Sequence, residues 1–321
     1  MSRPPTVKGP PALTQTAPAA PCPRARLLDP VLLLVACIWG IGNVVTKWVL
    51  GVLDPSAFLA LRMVVVSILM AAVLLLGPRN RLALRDWLIV SVCGGGLVAA
   101  QFLSFSYAMK LTTASEGSLL ISTAPAWTAV IVAVLGVEHL RGLNWLGIVL
   151  ASGGVAMVAL GPAGRIVSGA PSRLSGDLLM LASAWLYAGY MVLSRRWMQR
   201  LGELPVICRT FAAGGVLLVA VGARHLLASD WSTVTAGHWV GIAYVTLLAG
   251  FVGLVLWYRT IGRTSASGTA MYQYLVPGVS VVAAAIFLGE RIVVFQLAGI
   301  AVTLIGVYLA RVPPNPGLAY R

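Results

Sequence analysis

The chain has 321 residues, of which 59% are hydrophobic and 10% charged, with a mean hydropathy of +0.91 and a formal net charge of +14. So apolar a chain exceeds what a soluble domain carries, and its apolar runs are long enough to cross a bilayer. The basic residues sit in short clusters between those runs, where they set orientation, so the charge does not call for a nucleic-acid partner.

In chain order, residues 1–28 are rich in Pro, Ala and Thr and are expected to form a disordered cytoplasmic tail. Arg3 and Lys8 could open a signal peptide, but Pro18, Pro21 and Pro23 intervene before an adequate apolar core develops. Ten apolar spans follow, at 31–50, 56–76, 86–109, 114–136, 142–160, 176–197, 204–227, 238–258, 266–288 and 292–310. All are predicted to be helices, because a chain facing lipid must satisfy its own backbone polar groups. Residues 161–175, rich in Gly, Pro and Ser, read as an external linker, and 312–321 as a second cytoplasmic tail. Cys37, Cys93 and Cys208 lie inside apolar segments and Cys22 in the tail; they read as small buried hydrophobes, with neither a disulfide framework nor metal spacing.

A register shift of 152 residues superposes the chain on itself. Pro125 falls on Pro277, Glu138 on Glu290, Gly147 on Gly299, Gly154 on Gly306, and Ala114-Ser115 on Ala266-Ser267. Sparse residue types agreeing at one offset without a gap indicate an internal duplication, with repeats expected over 29–160 and 176–311. With both ends of the chain cytoplasmic, fifteen basic residues lie in inside connections and six outside, leaving Arg62 and Arg209 within spans. A repeat unit of five spans is odd, so the copies cross in opposite senses. The fold class expected is therefore an all-α membrane protein of ten transmembrane helices in two inverted five-helix repeats.

Trp39-Gly40-Ile41-Gly42-Asn43 with Lys47 following, the paired Pro125 to Glu138 and Pro277 to Glu290 segments, and Gly176-Asp177 with Ser194-Arg195-Arg196 carry a resemblance. Over residues 29 to 311 the chain resembles the EamA family of the drug/metabolite transporter superfamily. The resemblance implies a basket of ten helices around a central cavity lined chiefly by the third, fourth, eighth and ninth. It also implies transport of a small metabolite, often export of amino acids. One departure is Gly189, which stands where the first half has Asn43 when Trp185 is aligned with Trp39.

The polar residues within spans point to a small-molecule path. On a helix Ser115, Ser118 and Ser122 recur at i, i+3 and i+7 and make one stripe. The repeat maps them onto Ser267, Ala270 and Tyr274, so Tyr274 should present its hydroxyl where Ser122 stands in the other half. Pro125 and Pro277 each lack a backbone donor and free a carbonyl near Ile121 or Gln273, which makes them candidate helix breaks or gates. Gln101, Ser104 and Ala108 form a second stripe on the third span, and Asn43 lies one turn from Trp39. Each of these groups serves equally as ligand contact or as glue between helices. Trp39, Trp185, Trp257, Tyr190 and Tyr274 lie within spans rather than only at their ends, where they either wall a path for a flat solute or fill a core.

All nine acids lie at or near span ends, so the intramembrane carboxylate of a cation-for-proton exchanger is not visible. Glu116 closes Thr113-Ala114-Ser115-Glu116, a capping-box pattern. His139, His225 and His238 are expected in loops, which leaves an intramembrane enzyme without its reagents. No cofactor or metal motif is read. Arg62 and Arg209 fall within two turns of a span end; they either snorkel to the headgroups or, for Arg62, attract a substrate carboxylate or clamp a helix end. The reading is a secondary transporter of the inner membrane working by alternating access, its partners the lipid bilayer and a small-molecule substrate, with a neutral or aromatic amino acid as expected cargo and export as expected direction. A sugar or phosphorylated sugar is the alternative cargo, and a non-transporting scaffold or receptor, sealed and without a central cavity, the alternative class.

Overall fold

The computed structural model describes residues 29–76, 84–136, 142–160, 171–261, 275–290 and 294–310. The expectations for both tails, for the linker up to residue 170, for Glu138 and for Tyr274 fall outside these residues. Helix α1 (Pro30–Val49) starts because the Asp29 carboxylate accepts the Val31 amide at 2.8 Å, with a proline in the first turn where no helical donor is needed. Helix α2 (Pro55–Leu76) is capped in the same way by Asp54, whose carboxylate accepts the Ser56 amide at 2.8 Å. Helix α3 (Leu84–Leu111) contains a π segment at Val90–Gly94.

The fourth expected span is two helices, α4 (Ala114–Ile121) and α5 (Ala124–Val134), parted at Ser122 and Thr123. Pro125 lies in the first turn of α5 and cannot donate to the Ile121 carbonyl, so the α-helical ladder is interrupted at this point. Next come α6 (Gly142–Leu160), α7 (Pro171–Leu201) and α8 (Glu203–Ala228). Helix α7 opens on a proline inside the stretch read as linker, five residues ahead of the expected start at 176. Helix α9 spans residues 236–261 with a second π segment, Tyr244–Val252, and is followed by α10 (Leu275–Leu288) and α11 (Val294–Ala310).

Six of these helices are long and apolar enough to cross a membrane, and every described element is helical. Their outward faces carry large apolar side chains such as Ile68, Val92 and Val216, as a lipid-facing surface requires. Cys37 and Cys93 are exposed on that surface rather than buried, and only Cys208 is a core residue among the described cysteines. The histidine expectation also needs correcting. His225 lies in the last turn of α8, and His238 in the first turn of α9, where it caps Thr235 and stacks on Trp48 at 4.3 Å.

Packing is paired. Helix α2 lies along α8, α6 along α11, α3 along α7, and α9 along α1; α4 and α5 both lie against α7, and α10 lies against α1. Small residues set the closest approaches: Gly95 is against Ala213 and Gly214, and Gly154 against Gly299 and Thr303.

Candidate functional site

A cavity of about 230 Å³ lies among these helices, lined by residues from α1 to α5 and from α7 to α10. Its size suits one small metabolite rather than a large ligand. Helix α1 presents Trp39, Gly42, Asn43 and Thr46, and α3 presents Val98, Gln101, Phe102 and Phe105. Both sets follow i, i+3, i+4, i+7, the spacing that puts four residues on one helical face. On α9 the lining residues are Val245, Ala249, Leu254 and Trp257. The five-residue step from Ala249 to Leu254 is one longer than an α-helix repeats, and the π segment absorbs it, turning Trp257 inward.

The polar groups are held by specific bonds. The Trp39 indole donates to the Ala249 carbonyl at 3.0 Å, and its ring meets Trp257 at 5.1 Å between centroids with a 46° tilt. That carbonyl lies within the π segment, where the regular ladder is broken. The Asn43 amide donates to Ser280 at 3.1 Å, which donates in turn to the Gly40 carbonyl at 2.9 Å, joining α10 to α1. Gln101 donates to Ser183 at 3.1 Å and Ser183 donates back to the Gln101 carbonyl at 3.1 Å, joining α3 to α7. Tyr190 shares a 2.9 Å hydrogen bond with Thr210 of α8. Asn43 and Gln101 therefore both line the cavity and bind helices together.

Trp39, Asn43, Gln101, Ser122, Tyr190 and Trp257 are brought together around one space. Three other candidates are not. Ser104 sits on α3 at roughly 110° from the centre of the cavity-facing side, by a helical advance of about 100° per residue. Ser118 is fully buried, and its hydroxyl is spent on the Ser115 carbonyl at 2.8 Å. Trp185 lies roughly opposite Tyr187 and Tyr190 on α7, about 170° away; it is 45% exposed and packs its ring against Trp127 at 4.8 Å. Of the candidate gates, Pro277 is buried in the first turn of α10. Thr46, Phe102, Phe105, Tyr187 and Phe211 line the cavity without having been read as candidates. The four-residue faces around Asn43 and Gln101 were the available signal for the first three. The lining also draws on more helices than the resemblance implies.

Arg62 and Arg209 have different surroundings. Arg209 is half-buried on α8 and stacks over Trp87 at 5.2 Å. Arg62 is 7% exposed, lines the cavity, and rests over the Phe102 ring at 5.3 Å. Snorkelling does not describe it.

One end of the bundle is tied by polar contacts. Both Glu290 carboxylate oxygens cap α4, accepting the Ala114 amide at 2.8 Å, the Ser115 amide at 3.2 Å and the Ser115 hydroxyl at 2.6 Å. Gly289, at φ 64, lets the chain turn there after α10. Beside it, Lys47 donates to the carbonyls of Lys110 and Thr112, and the Thr112 hydroxyl bonds Glu116 at 3.2 Å and Asp177 at 2.6 Å. Thr113 accepts the Glu116 amide at 3.2 Å, so the N-cap half of the expected box forms, while the buried Glu116 carboxylate turns to Thr112.

The model of the EamA-like transporter family matches residues 27–160 and again 174–312. An uncharacterized transporter of Archaeoglobus fulgidus is 27% identical over 284 residues, 87% of this chain and 95% of its own. A probable terminal-alkyne amino-acid exporter of Streptantibioticus cattleyicolor is 28% identical over 73% of this chain and 76% of its own. A probable amino-acid metabolite efflux pump of Salmonella typhimurium is 26% identical over 86% of this chain and 92% of its own. One solved crystal structure aligns with a TM-score of 0.60 at 21% identity, covering 87% of this chain and 95% of that one, and shares the fold.

Proposed function

The chain belongs to the EamA-like transporter family, and we propose that this multi-pass membrane protein exports a neutral or aromatic amino acid by alternating access. The observation that carries the proposal is the cavity, walled by aromatic residues of both halves: Trp39, Phe102 and Phe105 from the first, Tyr190, Phe211 and Trp257 from the second. Trp39, Asn43, Gln101, Ser122, Tyr190 and Trp257 are its proposed contacts with cargo, and the break before Pro125 is the proposed hinge. Relatives named as a probable amino-acid exporter and a probable amino-acid metabolite efflux pump support this cargo class.

The proposed architecture is ten transmembrane helices in two inverted repeats, 29–160 and 176–311, in the inner membrane with both ends of the chain cytoplasmic. Exchanging the halves sends α1 to α7, α2 to α8, α3 to α9, the α4 and α5 pair to α10, and α6 to α11. Under that exchange the α3–α7 contact becomes α9–α1, and the contact of α4 and α5 with α7 becomes α10–α1; both partners of each pair are observed. The two family matches support the same division. In this orientation the Glu290 contacts with α4 lie at the outer end, and they are the proposed latch that holds it shut.

The test is uptake into proteoliposomes with a panel of amino acids and sugar phosphates, with and without a proton gradient. Movement of aromatic or neutral amino acids is expected. Movement of none of them, or of sugar phosphates alone, overturns the cargo assignment.

A further inference from the structure

A guanidinium at the centre of a membrane protein needs a reason to be there, because a charge in hydrocarbon and a buried donor without an acceptor both cost stability. Arg62 combines the two. Its side chain is 93% buried (100% less the 7% exposed), its Nε has no hydrogen-bond partner, and among the described residues no carboxylate lies within ion-pair distance. Among the described residues its ring companion is Phe102, whose face stabilises a cation but offers the guanidinium no hydrogen-bond acceptor in its own plane.

Space is kept for the group. A Cβ built on Gly250, in the π segment of α9, would lie 3.2 Å from Nη2 of Arg62 and 3.5 Å from Nε. A side chain there would press on the guanidinium and on the Val245 carbonyl oxygen, which lies 3.1 Å from the same Cβ. The position is thus formed from both halves of the chain, a cation on α2 and a missing methyl on α9, and it opens on the cavity.

Arg62 is the one charged residue among the described lining residues, with no carboxylate to oppose it. A planar guanidinium with free donors fits a carboxylate in two parallel hydrogen bonds, and does so most strongly where water is excluded. The remaining walls are mostly aromatic and aliphatic, and the Asn43 and Gln101 amides among them already donate to Ser280 and Ser183, a lining that favours a flat hydrocarbon body over a sugar or a dianionic phosphate.

We propose that Arg62 is the anion-binding residue of the cavity, its guanidinium taking the carboxylate of an aromatic monocarboxylate, either an amino acid or the same acid without its amine. The inference rests on the transport reading above and adds a ranking to it: the carboxylate of the cargo is required, whereas an ammonium meets only uncharged acceptors and ring faces and is dispensable.

The experiment uses the full chain in detergent and in proteoliposomes with three probes of one shape: L-phenylalanine, 3-phenylpropanoate and 2-phenylethylamine. Binding is read by quenching of tryptophan fluorescence, to which Trp39 and Trp257 contribute, and by competition against labelled phenylalanine. Wild type is expected to bind both carboxylates and to bind the amine roughly 10–100-fold more weakly, the range expected for losing a hydrogen bond to a charged group. Arg62→Gln should lower carboxylate affinity by a similar factor without lowering that for the amine, and Arg62→Lys should restore part of it. Equal binding of amine and carboxylates, or unchanged carboxylate binding by Arg62→Gln, overturns the proposal. Should Arg62→Gln not fold, the wild-type ranking of the three probes decides alone. Failure of all three to bind or move in wild type would overturn the aromatic-transport reading itself, an outcome distinct from a wrong ranking.

Discussion

Gly154 and Gly306 make one contact from its two sides. A Cβ on Gly154 would fall 2.7 Å from the Gly299 carbonyl oxygen, and one on Gly306 would fall 2.6 Å from the Gly147 carbonyl oxygen. Each glycine also sits against the residue that the 152-residue offset exchanges, Thr303 for Gly154 and Ala151 for Gly306. A backbone carbonyl cannot rotate away as a side chain can. Gly154→Ala and Gly306→Ala are therefore each expected to lose about 1–3 kcal/mol by overpacking, whereas Gly153→Ala, whose Cβ would meet nothing within 4 Å, should be neutral. Thermal unfolding in detergent measures all three. Unequal losses at the two glycines would argue against the two-fold relation.

The aromatic walls divide into those that face the cavity and one that does not. Trp257→Ala and Trp39→Ala should lower transport about tenfold or more, because each removes a cavity-lining ring in contact with the other. Trp185→Ala, on the opposite face of α7, should change transport less than about twofold by the same reasoning. Initial rates normalised to folded protein make the comparison. A Trp185 effect as large as that of Trp257 would contradict the assigned lining.

Gly253 holds Trp39 in place. A Cβ there would come within 2.8 Å of the indole nitrogen, which donates to the Ala249 carbonyl. Gly253→Ala should displace the ring and forfeit that bond, about 1 kcal/mol of stability, with weaker substrate binding as the larger effect. Trp39→Phe removes the donor and leaves a smaller aromatic ring, so it should lose at least as much stability while retaining part of the binding. If Gly253→Ala leaves binding intact, the indole bond does not position the wall.

The Glu290 latch predicts a shift in state. Glu290→Gln removes the negative charge from the N-terminus of α4 and weakens three bonds there, a loss of roughly 1 kcal/mol or more. In a background lacking the native cysteines, a Thr46→Cys thiol in the cavity should react with a membrane-impermeant reagent from outside faster when Glu290 is Gln. Equal rates would mean that the latch does not hold the outer end shut.

Much of the helical fold was legible because helices write themselves into apolar runs and residue spacing. Trp39 and Asn43, one turn apart, share the cavity face, and Pro125 marked the α4–α5 break from its missing donor, whereas the stripe read at Gln101, Ser104 and Ala108 is not the face of α3 that lines the cavity. Three features were not legible. The extra residue of each π segment leaves no periodic trace beyond nearby glycines, yet it decides that Trp257 faces inward. Arg62 lies near enough to a span end to snorkel, and only the approach of Gly250 and Phe102 shows that it does not. Trp185 was read as a wall or core residue from its place within a span, but that place carries no rotational information about α7. Rotation about a helix axis is fixed by neighbours, which a single sequence does not display.

The most direct test of the antiparallel halves uses the equivalent positions just beyond the first helix of each half. Val52 and Leu204 are both exposed, at 39% and 38%. Single cysteines are introduced as Val52→Cys or Leu204→Cys in a cysteine-free background, and intact cells are treated with an impermeant thiol reagent. The account predicts labelling of the Val52→Cys protein at once and of the Leu204→Cys protein only after the membrane is opened. Labelling of both from the same side would contradict it.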